Sequence, residues 1–144
     1  MKIMFRYFVL LILLAFMIVT CQRSQGSDPI YLVTSDASRV VEAYFIALVA
    51  KDANQAINLS CAAWEEQAQI DADTFAINPA TAENIQCKTA GAEKDHPEDG
   101  DITLVSCTGK LVLDYNGEKQ EINLADRTYR VVQESSEWRM CGYK

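Results

Sequence analysis

The stretch ITLVSCTGKLVLDYNGEKQEINL, Ile102 to Leu124, constrains what this chain can fold into more than any other. An Asn-Gly pair between two alternating runs is the strongest short hairpin signal, because its two-residue turn needs positive φ at both positions. With Asn116 and Gly117 at the turn, Leu111 faces Ile122 and Gly109 faces Leu124. Val105, Cys107, Leu111, Leu113 and Tyr115 then share one face with Ile122 and Leu124. A single buried face accounts for both strands, and a one-residue slip would turn the whole set to solvent.

More strand flanks this hairpin. IQCKTA, from Ile85, is β-rich, and TYRVVQE, from Thr128, turns at Ser135 and Ser136 into WRMCGY. Upstream the apolar period is 3.6 instead of 2. In ASRVVEAYFIALVAKD the residues Val40, Val41, Tyr44, Phe45, Leu48 and Val49 fall at helical spacing behind Ser35 and Asp36 as caps, predicting about four turns. Asp52, with Gln55 three residues on, starts a second helix as in a capping box. SCAAWEEQAQI continues as a third short helix capped by Ser60, with Glu65 and Glu66 where the helix dipole favours acid. The pattern changes after Ile70, which leaves Asp71 and Asp73 in a loop. Helices first and an antiparallel meander afterwards predict an α+β fold, not α/β.

The first 21 residues read differently. MKIMFRYFVLLILLAFMIVTC has a basic head, Lys2 and Arg6, and an apolar run from Tyr7 to Val19. That run falls short of the roughly 20 residues needed to span a bilayer, so the layout is that of a cleaved secretory signal peptide, residues 1–20. IVTC resembles the lipobox of bacterial lipoproteins, in which the cysteine is lipidated and becomes the new amino terminus. Thr20 stands where that box usually has Gly, Ala or Ser. Cys21 is the lipidation site this implies, residues 21–35 hold it and a polar tether, and residues 36–144 form one domain. The lipid would anchor the domain on the outer face of a membrane; without it the protein is secreted.

Cysteine number agrees. Five cysteines are odd, and setting Cys21 aside leaves four that can pair completely in an oxidising compartment. Cys87 and Cys107 flank the acidic turn EKDHPEDGD symmetrically, so they can be bridged across a hairpin if their α-carbons lie within about 4.4 to 6.8 Å. Cys61 would then pair with Cys141, tying the helices to the last strand. Four cysteines allow three connectivities, and this one rests on the hairpin. It carries a conflict: alternation puts Cys141 with Arg139 and Tyr143 on one side, and Trp138 with Met140 on the other. Either the edge strand is covered on both faces, or the last hairpin is off by one residue.

Charge removes several function classes. The chain has a net charge of −7, and loss of Lys2 and Arg6 with the signal leaves 11 basic against 20 acidic residues, a net charge of −9. Such a surface repels nucleic acid and anionic headgroups. The acidic turn lacks the ligand spacing and closing glutamate of a calcium loop, and no CxxC pair suggests zinc, so no metal or other cofactor is expected.

VVEAYFIALVAKD, the short helix beginning at its Asp, and the terminal RTYRVVQESSEWRMCGY together resemble the nuclear transport factor 2-like superfamily. Within it the likeness is to small bacterial lipoproteins and secreted proteins, over Asp36 to Tyr143. The resemblance implies a curved antiparallel sheet wrapped around the first long helix as a cone with an open mouth, with Trp138 packed in the sheet. Many folds of this type dimerise through the sheet, so a homodimer is one arrangement it allows.

Some members of the superfamily are isomerases or dehydratases that use an Asp or His base in the cone. Here the one histidine, His96, falls on the acidic turn, Asp71 and Asp73 fall in a polar loop, and Ser135 and Ser136 have no histidine to activate them. No catalytic residue is expected. Tyr44, Phe45, Trp64, Phe75, Tyr129 and Trp138 either line a pocket or fill the core. Arg127, Arg130 and Arg139 either form an anion site or pair with neighbouring acids; a turn at Ser135 and Ser136 sets Arg130 opposite Cys141 and Arg139 opposite Val132. The expected function is a non-catalytic binding or interaction module at the cell envelope, its residues drawn from Tyr44, Trp64, Tyr129, Arg130, Trp138 and Arg139. The alternatives are a small cone-pocket enzyme and a structural or inhibitor-like envelope protein. An interaction module predicts an exposed apolar patch on the outer face of the sheet.

Overall fold

The structure, a computed structural model, describes residues 36–93 and 101–144. The expected signal peptide and tether, with Cys21, and His96 lie outside the described residues. What is described is α+β: helices first, then an open antiparallel sheet of five strands.

Helix α1, Ala37–Val49, starts where Asp36 Oδ1 accepts from the Ser38 amide at 3.0 Å, and it buries Val40, Val41, Tyr44, Phe45 and Leu48. The chain turns at Lys51, and Asp52 Oδ1 accepts from the Gln55 amide at 3.0 Å to cap α2, Ala53–Asn58. Ser60 does not cap the next helix. Its hydroxyl donates back to the Ala56 carbonyl at 3.0 Å, and a 3-10 turn, Ala62–Trp64, leads into α3, Glu65–Ile77.

Helix α3 runs seven residues past the expected end at Ile70, so Asp71 and Asp73 are helical and not in a loop. The buried stripe of α3 is Ala68, Ala72 and Phe75, at i, i+4 and i+7. Two of those three are alanines, whose small apolar surface leaves little trace in the hydropathy pattern. The helix ends where the Asn78 side-chain Nδ2 donates to the Thr74 carbonyl at 2.8 Å, just before Pro79.

Strand β1, Ala80–Glu93, is far longer than the IQCKTA segment that marks it, because most of its side chains face solvent and give no alternation. It pairs with β2, Ile102–Tyr115. On the far side of β2 lie β3, Glu118–Asn123, against its second half and β4, Thr128–Glu134, against its first; β5, Glu137–Tyr143, follows β4. The β2–β3 register is the expected one, with Leu111 opposite Ile122. Gly109 and Leu124 do not pair, because the ladder stops at Lys110 and Asn123. There Asn123 Oδ1 accepts from the Ala125 amide at 3.1 Å and opens a 3-10 turn, Leu124–Asp126, that still buries Leu124.

Gly109 has a different task. Asn84 and Ile85 on β1 both stand opposite it, forming a bulge, and its φ is +91°. A Cβ on Gly109 would stand 2.5 Å from the carbonyl oxygens of Glu83 and Asn84. Only glycine fits so close a backbone approach.

Both disulfides join the expected cysteines. Cys61 joins Cys141 with α-carbons 5.3 Å apart, and Cys87 and Cys107 are directly opposed on β1 and β2 with α-carbons 4.1 Å apart, slightly closer than the expected window of about 4.4 to 6.8 Å. The conflict over Cys141 ends in a second bulge. Val132 opposes Arg139 and Val131 opposes Met140, but the next pair is Tyr129 with Tyr143, so Cys141 and Gly142 both stand across from Arg130. Met140 faces α1 and the main core, while Cys141 packs on the other side with Cys61, Ile102, Leu104 and Val132. The edge strand is thus covered on both faces.

Its outer edge is covered too. The Met140 amide donates to the Leu59 carbonyl at 2.7 Å, and the Cys61 amide to the Met140 carbonyl at 2.8 Å. The segment around Ser60 therefore lies as a short parallel bridge along β5, removing a row of free backbone groups. On the inner face α1 packs across β1, β2, β4 and β5. Tyr44, Phe45 and Tyr129 meet edge to face there, with centroids 5.8 and 5.2 Å apart.

Candidate functional site

Between α1, α3 and the inner face of the sheet is a cleft of about 80 Å³. Tyr44, Phe45 and Leu48 line it from α1, Asp71 and Phe75 from α3, and Leu111, Ile122, Leu124, Arg127, Tyr129, Met140 and Tyr143 from the sheet side. Pockets for drug-sized ligands are typically about 300–1,000 Å³, so most of the space between helix and sheet is filled by side chains.

The polar groups of Tyr44, Asp71 and Tyr129 in the cleft are bonded to one another or to backbone. Tyr44 donates its hydroxyl to Asp71 Oδ2 at 2.8 Å, and Gln67, one turn before Asp71, donates to Oδ1 at 2.8 Å. Burial pushes the Tyr44 phenol well above its ordinary range, and the Asp71 charge and hydrogen bond push it further. The indole N–H of Trp64 is buried near this hydroxyl but lies outside hydrogen-bond geometry. Tyr129 donates to the Leu124 carbonyl at 3.3 Å, and burial raises its phenol to about 12 against the opposing pull of Arg127.

Tyr143 lines the cleft from the last strand. Its ring meets Trp64 edge-on at 5.6 Å and Tyr129 at 6.4 Å, and the Arg127 guanidinium lies over it at 4.1 Å. The bulge aims it there: with strict alternation Tyr143 would have followed Cys141 to the other face. Gly142 in a strand interior was the sequence signal for that bulge.

Tyr44, Phe45, Phe75 and Tyr129, of the aromatic residues expected at a pocket or in the core, line the cleft. Trp64 packs behind Gly142 and beside Tyr143, and Trp138 rests half-buried against the main core. Arg130 and Arg139 face the opposite side of the sheet and pair with acids: Arg130 with Glu93 at 3.5 Å, and Arg139 with Glu137. The three arginines therefore form no common cluster, and Arg127 alone belongs to the cleft. Asp73 is exposed on α3, bonded to Gln69.

Among the described residues, no large aliphatic side chain is exposed on the outer face of the sheet, where an apolar patch was expected. Lys110 there bridges Glu83 and Glu121, and the exposed isoleucines are on helices instead: Ile46 at 57%, Ile70 at 51% and Ile77 at 81%. No described helix is long and apolar enough to cross a membrane. Neither a family model nor a curated protein matches the chain.

Proposed function

We propose that this chain is an envelope lipoprotein, processed at Cys21, whose domain is a cone-shaped, nuclear transport factor 2-like binding module without catalysis. The carrying observation is the cleft: small and walled by aromatic and aliphatic side chains, with Asp71 and Arg127 as the charged residues of its lining. That is the layout of a recognition site, in which apolar walls supply contact and a few polar groups set orientation. The two phenols whose acidity shifts move away from neutrality, the opposite of what a base or nucleophile working near neutral pH requires. Asp71 accepts one hydrogen bond on each oxygen, from Tyr44 and from Gln67, and both hold it as an acceptor in place.

Location is supported by the two disulfides, which belong to a protein that folds in an oxidising, extracytoplasmic compartment. The signal-like segment and the cysteine at its end support the tether. The test is the intact mass of membrane-extracted protein before and after reduction. The expected mass is that of a chain beginning at a lipidated Cys21, gaining four hydrogens on reduction. Cys21→Ser should release the domain from the membrane fraction; a variant that stays bound would refute lipid anchoring.

A further inference from the structure

We infer that the cleft binds a small carboxylate that also carries a hydrogen-bond donor, such as an α-hydroxy or α-amino acid. Its carboxylate meets Arg127 and its donor meets Asp71. The inference rests on the reading of the domain as a binding module and names the ligand class of that site.

Arg127 is the first ground. Arg130 and Arg139 on the neighbouring strands pair with Glu93 and Glu137, but no carboxylate among the described residues lies within 4.0 Å of Arg127. Its guanidinium is nonetheless held in place, 4.1 Å over the ring of Tyr143. A guanidinium steadied on an aromatic face keeps its remaining N–H donors for a planar, bidentate partner, and a carboxylate matches that fork.

Asp71 is the second ground. Two of the roughly four acceptor positions of a carboxylate are taken by Tyr44 and Gln67, which leaves acceptor capacity within the cleft. A ligand that is only an anion would meet repulsion there, whereas an added hydroxyl or ammonium group turns Asp71 into a partner. Size is the third ground. A cavity of about 150 Å³ holds benzene, so the 80 Å³ here suits a compound of about three to six heavy atoms. Ligands that small bind no tighter than about micromolar.

The test is a ligand titration by NMR of the full, disulfide-intact chain extracted in detergent, with glycolate, lactate and glycine as probes. Propionate serves as the carboxylate without a donor and propylamine as the cation without a carboxylate. Saturable binding of glycolate or glycine, weakened about tenfold or more by Arg127→Gln, is the expected result. Propionate should bind several-fold more weakly than glycolate. Arg127 is exposed, so the variant keeps its fold, which an unchanged spectrum away from the cleft verifies. Absence of saturable carboxylate binding, or equal binding by Arg127→Gln, overturns the inference. Binding of propylamine alone also overturns it but leaves the binding module standing. Conversion of a bound probe to product would instead refute the non-catalytic reading while leaving carboxylate recognition intact.

Discussion

Gly142 lies against the indole of Trp64: a Cβ added to this glycine would stand 3.2 Å from Cζ3 and 3.3 Å from Cε3 of the ring. The contact links the turn before α3 to the last strand at the residue whose bulge sends Tyr143 into the cleft. Gly142→Ala adds two penalties, a side chain at φ +116° and pressure on a ring already edge-on to Tyr143. The expected loss is about 1–3 kcal/mol of stability. Urea denaturation measures it, and the Tyr143 ring resonances should shift as the bulge relaxes. Unchanged stability and resonances would mean that the bulge does not depend on glycine.

The disulfides should differ in strength. In the chain-entropy model stabilisation grows with the logarithm of the loop closed. Cys61–Cys141 spans 80 residues and Cys87–Cys107 spans 20. Replacing the first pair by alanine should cost about 4.5 kcal/mol and replacing the second about 3.3 kcal/mol. Chemical denaturation of the two double variants checks the order. The reverse order would place the weight of Cys87–Cys107 in local packing, since Cys107 is buried in the main core and Cys87 lies against it.

These two features divide the sequence by how far local pattern reaches. The β2–β3 register and the disulfide pairs were legible, because Asn116-Gly117 fixes facing residues arithmetically and Cys87 and Cys107 stand symmetrically about one turn. The length of α3 was not, because Ala68 and Ala72 bury a helix face without apolar bulk. The cleft was half legible. Tyr44 and Tyr129 are large residues on plainly buried faces, but the place of Tyr143 depends on a bulge, and bulges break the alternation from which faces are read. Arg130 could not be told from Arg127 by strand position alone, because its partner Glu93 lies far off in sequence; Arg139 pairs with Glu137, two residues earlier on its own strand.

Alkaline pH should destabilise the domain through its buried phenols. Burial holds Tyr129 at about 12, and Tyr44 is raised further, against the ordinary value of 10.0. Above that ordinary value the folded state retains protons that the unfolded chain releases, so stability falls as pH climbs from about 10 to 12. Below about 10 both states are protonated and these groups leave stability flat. Tyrosinate absorbance from Tyr44 and Tyr129 should rise together with loss of the near-ultraviolet circular dichroism. Smooth, reversible ionisation of every tyrosine near 10 with the fold intact would contradict the burial of Tyr44 and Tyr129.

The chain uses two solutions to one problem at its two-residue turns, and the poorer one can be improved. Ser135 and Ser136 hold φ of +51° and +71°, a left-handed conformation that costs an ordinary L-residue roughly 1–2 kcal/mol. At the β2–β3 turn the same need is met by Asn116 and Gly117, the pair best suited to it. Replacing Ser135-Ser136 by Asn-Gly should stabilise the domain by about 0.5–1 kcal/mol, since the gain in the turn is partly offset by the greater freedom of glycine in the unfolded chain. The reciprocal Asn116→Ser, Gly117→Ser change should cost a similar amount. Thermal denaturation of both variants should move Tm in opposite directions by a few degrees, about 2–6 °C. Both serines are exposed, so little packing is lost by their removal. If the Asn-Gly variant proved no more stable, the bond from the Gln133 side-chain Nε2 to the backbone carbonyl of residue 136, at 3.4 Å, would be setting that turn in place of backbone preference.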